Sequence, residues 1–294
     1  MAGRFAPSPT SELHLGNLRT ALLAWLFARS SGRDFLVRIE DLDQARVAAA
    51  AGVAERQLAD LAALGIDHDG DVVRQSERLP LYEAALERLD VYECYCSRRE
   101  IAESAQAPHG DRDGPYPGTC RDLTEAKRAA KRAGRPAALR IRAGGARWTV
   151  TDELHGLVTS VVDDFVLRRG DGTYAYNLAV VVDDGAQGVD QVVRGDDLLS
   201  SAPRQAWLAH QLEITPPTYA HVPLAVGSDG RRLAKRDGAV TMTDLAARGV
   251  TPVEVLARLA ASLGLAEVGE KLTSADLLHR FDPAALPREP WVVS

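Results

Sequence analysis

The feature that most narrows the fold is the opening run Gly3-Arg4-Phe5-Ala6-Pro7-Ser8-Pro9-Thr10, followed by His14-Leu15-Gly16-Asn17. Gly3 to Ala6 predicts a short strand, and Pro7 and Pro9 predict a rigid turn. The apolar run to Leu26 predicts a helix whose first turn carries His14, Gly16 and Asn17. A strand feeding a helix through a turn aims unpaired N–H groups and the positive end of the helix dipole above the turn, which suits a phosphate. His14 and Asn17 can donate to phosphate oxygens, and Gly16, lacking a Cβ, would let a flat nucleobase lie on the backbone.

Far along the chain, Arg232-Leu233-Ala234-Lys235-Arg236 follows the turn Gly227-Ser228-Asp229-Gly230. This places cations on a loop able to fold over a polyphosphate and withdraw from it. Between the two motifs, Asp34 to Glu40 has a buried-strand pattern ending in Asp41-Leu42-Asp43, and apolar spacing predicts helices over 47–64 and 79–89. Strand, turn, helix, strand and helix in this order predict an α/β fold, a Rossmann-like doubly wound parallel sheet. Ligands of such sheets bind beyond the carboxyl ends of the strands, where Glu40, Asp41 and Asp43 fall.

All three cysteines fall in one region, Cys94-Tyr95-Cys96 and Cys120. In a cytoplasmic protein, clustered thiols read as metal ligands before disulfides. Cys94 and Cys96 bring two thiolates to one point and Cys120 can return to it, while the alternative is three small buried side chains. Tetrahedral Zn²⁺ needs a fourth ligand, for which His109 is the ordinary candidate and Tyr116 the unusual one.

Further on, short strands are predicted over 137–142 and 147–150. A hairpin-like unit is predicted over 163–182, its second half running from Thr173 through Tyr176 to Val182 as a strand. Asp183-Asp184 and Arg194 with Asp196-Asp197 are then expected at strand ends on the same carboxyl edge. Helix 202–212, strand 222–226 and helix 252–263 complete the pattern. With a net charge of −6, any RNA affinity must come from a local basic face such as Lys127, Arg128, Lys131, Arg132, Arg135 and Arg140. The absence of a membrane-length apolar run or a secretory pattern makes a cytoplasmic enzyme with no membrane partner the default.

The pair His-Leu-Gly-Asn (14–17) and Arg-Leu-Ala-Lys-Arg (232–236) resembles the two signature motifs of class I aminoacyl-tRNA synthetases. Arg4 to Thr10, Leu36-Val-Arg-Ile-Glu-Asp-Leu-Asp43, Ala179-Val-Val-Val-Asp-Asp184 and Val192-Val-Arg-Gly-Asp-Asp-Leu-Leu199 look like the catalytic domain of bacterial glutamyl-tRNA synthetases. Cys94 to Glu100 with Tyr116-Pro-Gly-Thr-Cys120 narrows the resemblance to the shortened glutamyl-Q tRNA(Asp) synthetase family. That family attaches glutamate to queuosine in the anticodon of tRNA(Asp).

The resemblance implies a sheet of class I synthetase type and a glutamate pocket of Arg4, Ala6, Ser8, Glu40, Tyr176 and Arg194. Arg4 is the first candidate for the side-chain carboxylate and Glu40 for the ammonium. It implies an ATP site of His14, Gly16, Asn17, Arg232 and Lys235, of which His14, Asn17 and Lys235 are catalytic, with Mg²⁺ accompanying ATP. It also implies one structural zinc on Cys94, Cys96, Tyr116 and Cys120, favouring Tyr116 over His109. The expected divisions are 1–91, first half of the catalytic domain; 92–150, zinc-containing insertion; 151–226, second half; and 227–294, cationic loop with a helical segment. Three departures stand out: Val180 where those synthetases usually have Asn, Arg232 where they have Lys, and Ala234 where they have Ser.

The expected activity is ATP-dependent formation of glutamyl-adenylate and transfer of glutamate to queuosine of tRNA(Asp). A monomer is expected, and too little chain follows the cationic loop for a further domain that would read a distant anticodon. Two other readings compete. One is a ligase of the same fold that passes glutamate to a non-RNA acceptor. The other is a catalytically silent, zinc-stabilised RNA-binding module.

Overall fold

A computed structural model describes residues 1–97, 99–101, 116–231, 233 and 240–293. Its strands are β1 (Ala2–Phe5), β2 (Asp34–Ile39), β3 (Val73–Arg74), β4 (Val91–Cys94), β5 (Ala138–Ile141), β6 (Arg147–Asp152), β7 (Gly156–Val161), β8 (Val166–Arg168), β9 (Val189–Gly195), β10 (Thr218–Val222), β11 (Ala225–Val226) and β12 (Trp291–Val292). The main helices are α1 (Leu15–Ser30), α2 (Gln44–Ala48), α3 (Val53–Ala63), α4 (Leu79–Glu87), α5 (Glu125–Arg132), α6 (Tyr176–Ala186), α7 (Ala202–Gln211), α8 (Met242–Ala247), α9 (Pro252–Ser262) and α10 (Ser274–Arg280).

A seven-stranded sheet in the order β3-β2-β1-β9-β10-β6-β7 organises the molecule. Neighbours run parallel except β6 and β7, so the expected mostly parallel α/β sheet is present. Helix α1 is apolar on nearly all sides because it is enclosed: it packs on β1, β2 and β9 and against α9 and α10. Truncating a fully buried residue such as Leu22 to Ala would cost about 2–5 kcal/mol.

Several local expectations change. The helix expected over 47–64 is split into α2 and α3 by Gly52, which takes φ +73°. The strand expected over 222–226 is two short strands in different sheets, separated by Pro223, which cannot donate to a ladder. Strand β6 joins the main sheet rather than the region of the cysteines, which is instead built on the separate three-stranded sheet β4-β5-β8.

The largest change is α6. Residues Tyr176 to Val182 read as a strand, yet they begin a helix. Leu178 to Val182 are buried without a break, so a run with no exposed face shows no helical period and its β-branched residues imitate a strand. Asp183 and Asp184 therefore stand on a buried helix, about 100° apart around its axis, and not at a strand end.

Candidate functional site

Because β1, β2, β9 and β10 are parallel, their carboxyl ends share one edge of the sheet. The turn after β1 lies there, held to β2 by a 2.9 Å bond from the Glu40 N–H to the Pro7 carbonyl. Ala6 is partly buried and Ser8 exposed, and the Ser8 carbonyl accepts from Gln57 Nε2 at 3.1 Å.

Beneath that turn sits a buried charge cluster that sequence reasoning only partly found. Arg4 projects from β1 with Nε 3.4 Å from Asp184 Oδ1. Arg38, fully buried in β2, reaches Asp184 at 2.8 Å, Asp183 at 3.6 Å and Glu40 at 3.5 Å, and donates to Gln187 at 2.7 Å. Asp183 also accepts from Gln75 at 2.9 Å, Arg78 at 2.6 Å and Tyr82 at 2.8 Å. Three guanidinium groups thus offset three carboxylates in a medium where an unpaired charge is costly.

Burial pushes the Glu40 carboxyl above its ordinary range, and Arg38 and Arg4 only partly offset this. Asp184 goes the other way: burial raises it, but Arg4 and Arg38 together outweigh burial. The signals for Arg38 and the Asp183-Asp184 pair were a charge inside an apolar strand and acids directly after an apolar run.

Tyr176 begins α6 at the rim of this cluster, partly exposed, and its phenol lies in the field of Arg194, Glu40, Arg4 and Asp184. Arg194 lies at the end of β9, donating to Gln205 at 2.7 Å, to the Tyr176 hydroxyl at 3.4 Å and, through Nε, to His221 at 3.0 Å. Four of the expected pocket residues, Arg4, Glu40, Tyr176 and Arg194, therefore lie close together: Arg194 donates to the Tyr176 hydroxyl, and Arg4 and Glu40 belong to the cluster joined through Asp184 and Arg38, all within the field felt by the Tyr176 phenol. Val180 is buried beside Asp184, Gln205 and Tyr219 around a small cavity.

The start of α1 differs from expectation. None of its first four N–H groups awaits a ligand: Leu15 donates to the Val240 carbonyl at 3.1 Å, Gly16 and Asn17 donate to His14 Nδ1 at 3.1 and 3.3 Å, and Leu18 donates to the His14 carbonyl at 3.0 Å. Asn17 closes the capping box, its Oδ1 accepting from the His14 N–H at 3.2 Å. With Nδ1 accepting, these bonds assign the ring proton to Nε2, so the imidazole itself presents the donor.

A Cβ on Gly16 would come within 3.1 Å of both the His14 ring and Ala225. Ala225 is in β11, the strand leading into the cationic loop, and Val240 and Thr241 at the loop's far end meet Leu15 and His14. Both ends of that loop are thus fastened to the first turn of α1. Arg232, Ala234, Lys235 and Arg236 lie outside the described residues.

The cysteines do assemble. The sulfur atoms of Cys94, Cys96 and Cys120 all lie within 4.8 Å of one another, with Cys96 and Cys120 at 3.6 Å. Sulfurs sharing a tetrahedral zinc at ordinary Zn–S lengths stand about 3.8 Å apart, so the donor set fits such an ion. The Tyr116 hydroxyl is 3.4 Å from Cys94 Sγ and 3.8 Å from Cys96 Sγ, and it accepts from the Cys120 N–H at 2.8 Å. Burial and the neighbouring Cys94 push the Cys96 thiol up to about 12, since adjacent sulfurs resist ionising together. A bound cation would reverse that shift. His109 lies outside the described residues.

The expected basic face is largely neutralised. Arg132 pairs with Glu93 at 2.7 Å, Arg128 with Glu125 at 3.3 Å and Arg135 with Glu100 at 2.8 Å. Arg140 is buried, lying 3.8 Å over the Tyr116 ring instead of facing solvent.

Comparison with known proteins adds an independent line. The family of class I tRNA synthetases (E and Q), catalytic domain, matches residues 1–293. A protein of Nocardia farcinica named glutamyl-Q tRNA(Asp) synthetase is 61% identical, covering 100% of this chain and 93% of its own length. One of the same name from Deinococcus radiodurans is 49% identical over 95% of each chain. Among solved structures, a glutamate-tRNA synthetase from Elizabethkingia anophelis superposes with a TM-score of 0.83 at 25% identity, covering 100% of this chain and 68% of its own. A glutamate tRNA ligase from Elizabethkingia meningosepticum, in complex with its amino acid, gives 0.81 at 26% identity, covering 100% and 67%.

Proposed function

Since the chain belongs to the class I tRNA synthetases for glutamate and glutamine, and among them to the glutamyl-Q tRNA(Asp) synthetases, we propose that it activates glutamate with ATP and transfers it to queuosine in the anticodon of tRNA(Asp). The observation that carries the amino-acid half is the convergence of Arg4, Arg194, Tyr176 and Glu40 on one edge of the sheet. Glutamate has two carboxylates and one ammonium; Arg4, Arg194 and Glu40 supply the matching charges, while the charge of Asp184 is offset by Arg38. Arg4 takes the side-chain carboxylate, and Glu40 takes the ammonium. The approach of that cation favours the ionised form of Glu40, which burial otherwise disfavours.

In the first step an α-carboxylate oxygen of glutamate forms a bond to the α-phosphorus of ATP as the bond to pyrophosphate breaks. His14 Nε2–H and Asn17 donate to the phosphates, and Lys235 and Arg232 hold the leaving pyrophosphate. Mg²⁺, arriving with ATP, supplies charge neutralisation on the phosphates. A hydroxyl of the queuosine cyclopentene-diol then attacks the acyl carbon, AMP leaves, and an ester forms. Cys94, Cys96, Cys120 and Tyr116 are the residues that would hold a structural zinc, which would cross-link the end of β4 to the segment before α5.

The test is transfer of labelled glutamate to tRNA from cells that make queuosine and from cells that cannot. Label confined to queuosine-containing tRNA(Asp) is the expected result. Equal labelling of both pools would mean a glutamyl-tRNA synthetase of minimal size, and pyrophosphate exchange with no labelled tRNA would mean a different acceptor.

A further inference from the structure

Arg194 is held from behind by two groups that take no place in the pocket described above. Residues His221 and Arg194 face each other as register partners on the parallel strands β10 and β9. The His221 ring is fully buried, with Nδ1 2.6 Å from Asp152 Oδ2 and Nε2 3.0 Å from Arg194 Nε. Asp152, at the end of β6, is equally buried. Its Oδ1 accepts the N–H groups of Leu154 and His155 at 2.9 and 3.0 Å, and Oδ2 also accepts the His221 N–H at 3.1 Å.

These bonds leave one protonation pattern. The carboxylate has no proton to give, so Nδ1–H of His221 donates to Asp152, and Nε2 presents a lone pair to Arg194 Nε–H. An Arg has no acceptor, so only this tautomer of a neutral imidazole can hold it. With Nε tied to His221, Nη1 of Arg194 faces Gln205 and Tyr176, on the pocket side, and Nη2 donates to the Leu198 carbonyl at 3.4 Å.

We propose that Asp152 and His221 are positioning residues: together they select the imidazole tautomer that fixes the Arg194 guanidinium in its glutamate-binding orientation. This rests on Arg194 being a glutamate ligand, as proposed above. Neither residue touches substrate, so their effect falls on the binding of glutamate rather than on the chemical step.

The decisive variant is Asp152→Asn. With its amide oxygen keeping the Leu154 and His155 N–H bonds, its NH₂ faces both the His221 N–H and Nδ1, so it removes the acceptor at Nδ1 and favours the imidazole proton on Nε2, against Arg194 Nε–H. In glutamate-dependent ATP–pyrophosphate exchange, Asp152→Asn should raise KM for glutamate about tenfold or more with kcat within about threefold of wild type. His221→Gln keeps an acceptor toward Arg194, and its KM should stay within about threefold of wild type. Arg194→Ala is measured alongside. A raised KM for Arg194→Ala with a wild-type KM for Asp152→Asn would overturn the positioning role and leave the pocket intact. An unchanged KM for Arg194→Ala would overturn the pocket reading, and this proposal with it.

Discussion

Arg38 and Asp184 form a 2.8 Å ion pair inside the protein, between a strand of the main sheet and a helix that crosses its carboxyl edge. The same guanidinium reaches Asp183 and Glu40, and Asp184 also meets Arg4. One buried arginine thus links the strand bearing Glu40 to the helix headed by Tyr176. Burial opposes its charge, but Asp184, Glu40 and Asp183 outweigh burial and hold Arg38 protonated.

Arg38→Met should therefore be strongly destabilising, because it strands buried carboxylates without their cation. A loss of about 3–5 kcal/mol is expected, read from the midpoint of urea unfolding at constant slope. A loss below about 1 kcal/mol would show that Arg78 and Arg4 suffice to compensate the acids.

His14 caps α1 with Nδ1, and under the proposed mechanism it also donates from Nε2. His14→Asn can still cap the helix, whereas His14→Ala loses about 1 kcal/mol. Both lack the ring donor, and both should slow ATP–pyrophosphate exchange about a hundredfold. Wild-type exchange in His14→Asn, with a normal melting temperature, would reduce His14 to a cap.

Acidification should weaken the fold through His221. Burial chiefly, together with Arg194, lowers its pKa against the opposing pull of Asp152. The other charged neighbours are His155, bonded to the His221 carbonyl, and Asp196. Between the folded pKa and the ordinary value of about 6.5, the unfolded chain binds the proton and the native protein does not. Stability from this residue is thus complete above about pH 6.5 and falls as pH drops through that window. Unfolding midpoints at pH 7.5 and 5.5 should differ more in wild type than in His221→Gln; equal differences would exclude His221 as the source.

Removal of metal should act on the cysteine region first. Protein purified without chelator is expected to hold one zinc per chain by atomic absorption, and Cys94→Ser should lower that content. Tyr116→Phe should weaken retention against a chelator without abolishing binding, because three thiolates remain. Zinc content unchanged in Cys94→Ser would place the ion elsewhere.

The sequence alone determined the strand-turn-helix at the start, the parallel α/β order, the gathering of three cysteines and the membership of the synthetase family. Each of these is a local pattern or a resemblance carried by contiguous residues: Pro7 and Pro9 restrict the backbone locally, and Cys94-Tyr95-Cys96 puts two thiols on one side of an extended chain. Only the tertiary structure decided that Tyr176 to Ala186 is a helix, because its middle, Leu178 to Asp184, is buried without a break and shows no period from which to read its conformation.

It also decided the partners. Arg38 finds Asp184, Arg194 finds His221, and His221 finds Asp152, across 146, 27 and 69 positions of chain respectively. Nothing near any of these residues in sequence specifies the other. A buried charge or imidazole takes the partner that packing brings within about 3 Å, since leaving it unpaired in a low-dielectric interior costs more than most single contacts contribute. The same packing satisfied the first turn of α1 with His14 and Val240, so the donor presented there is a side chain and not the bare helix end.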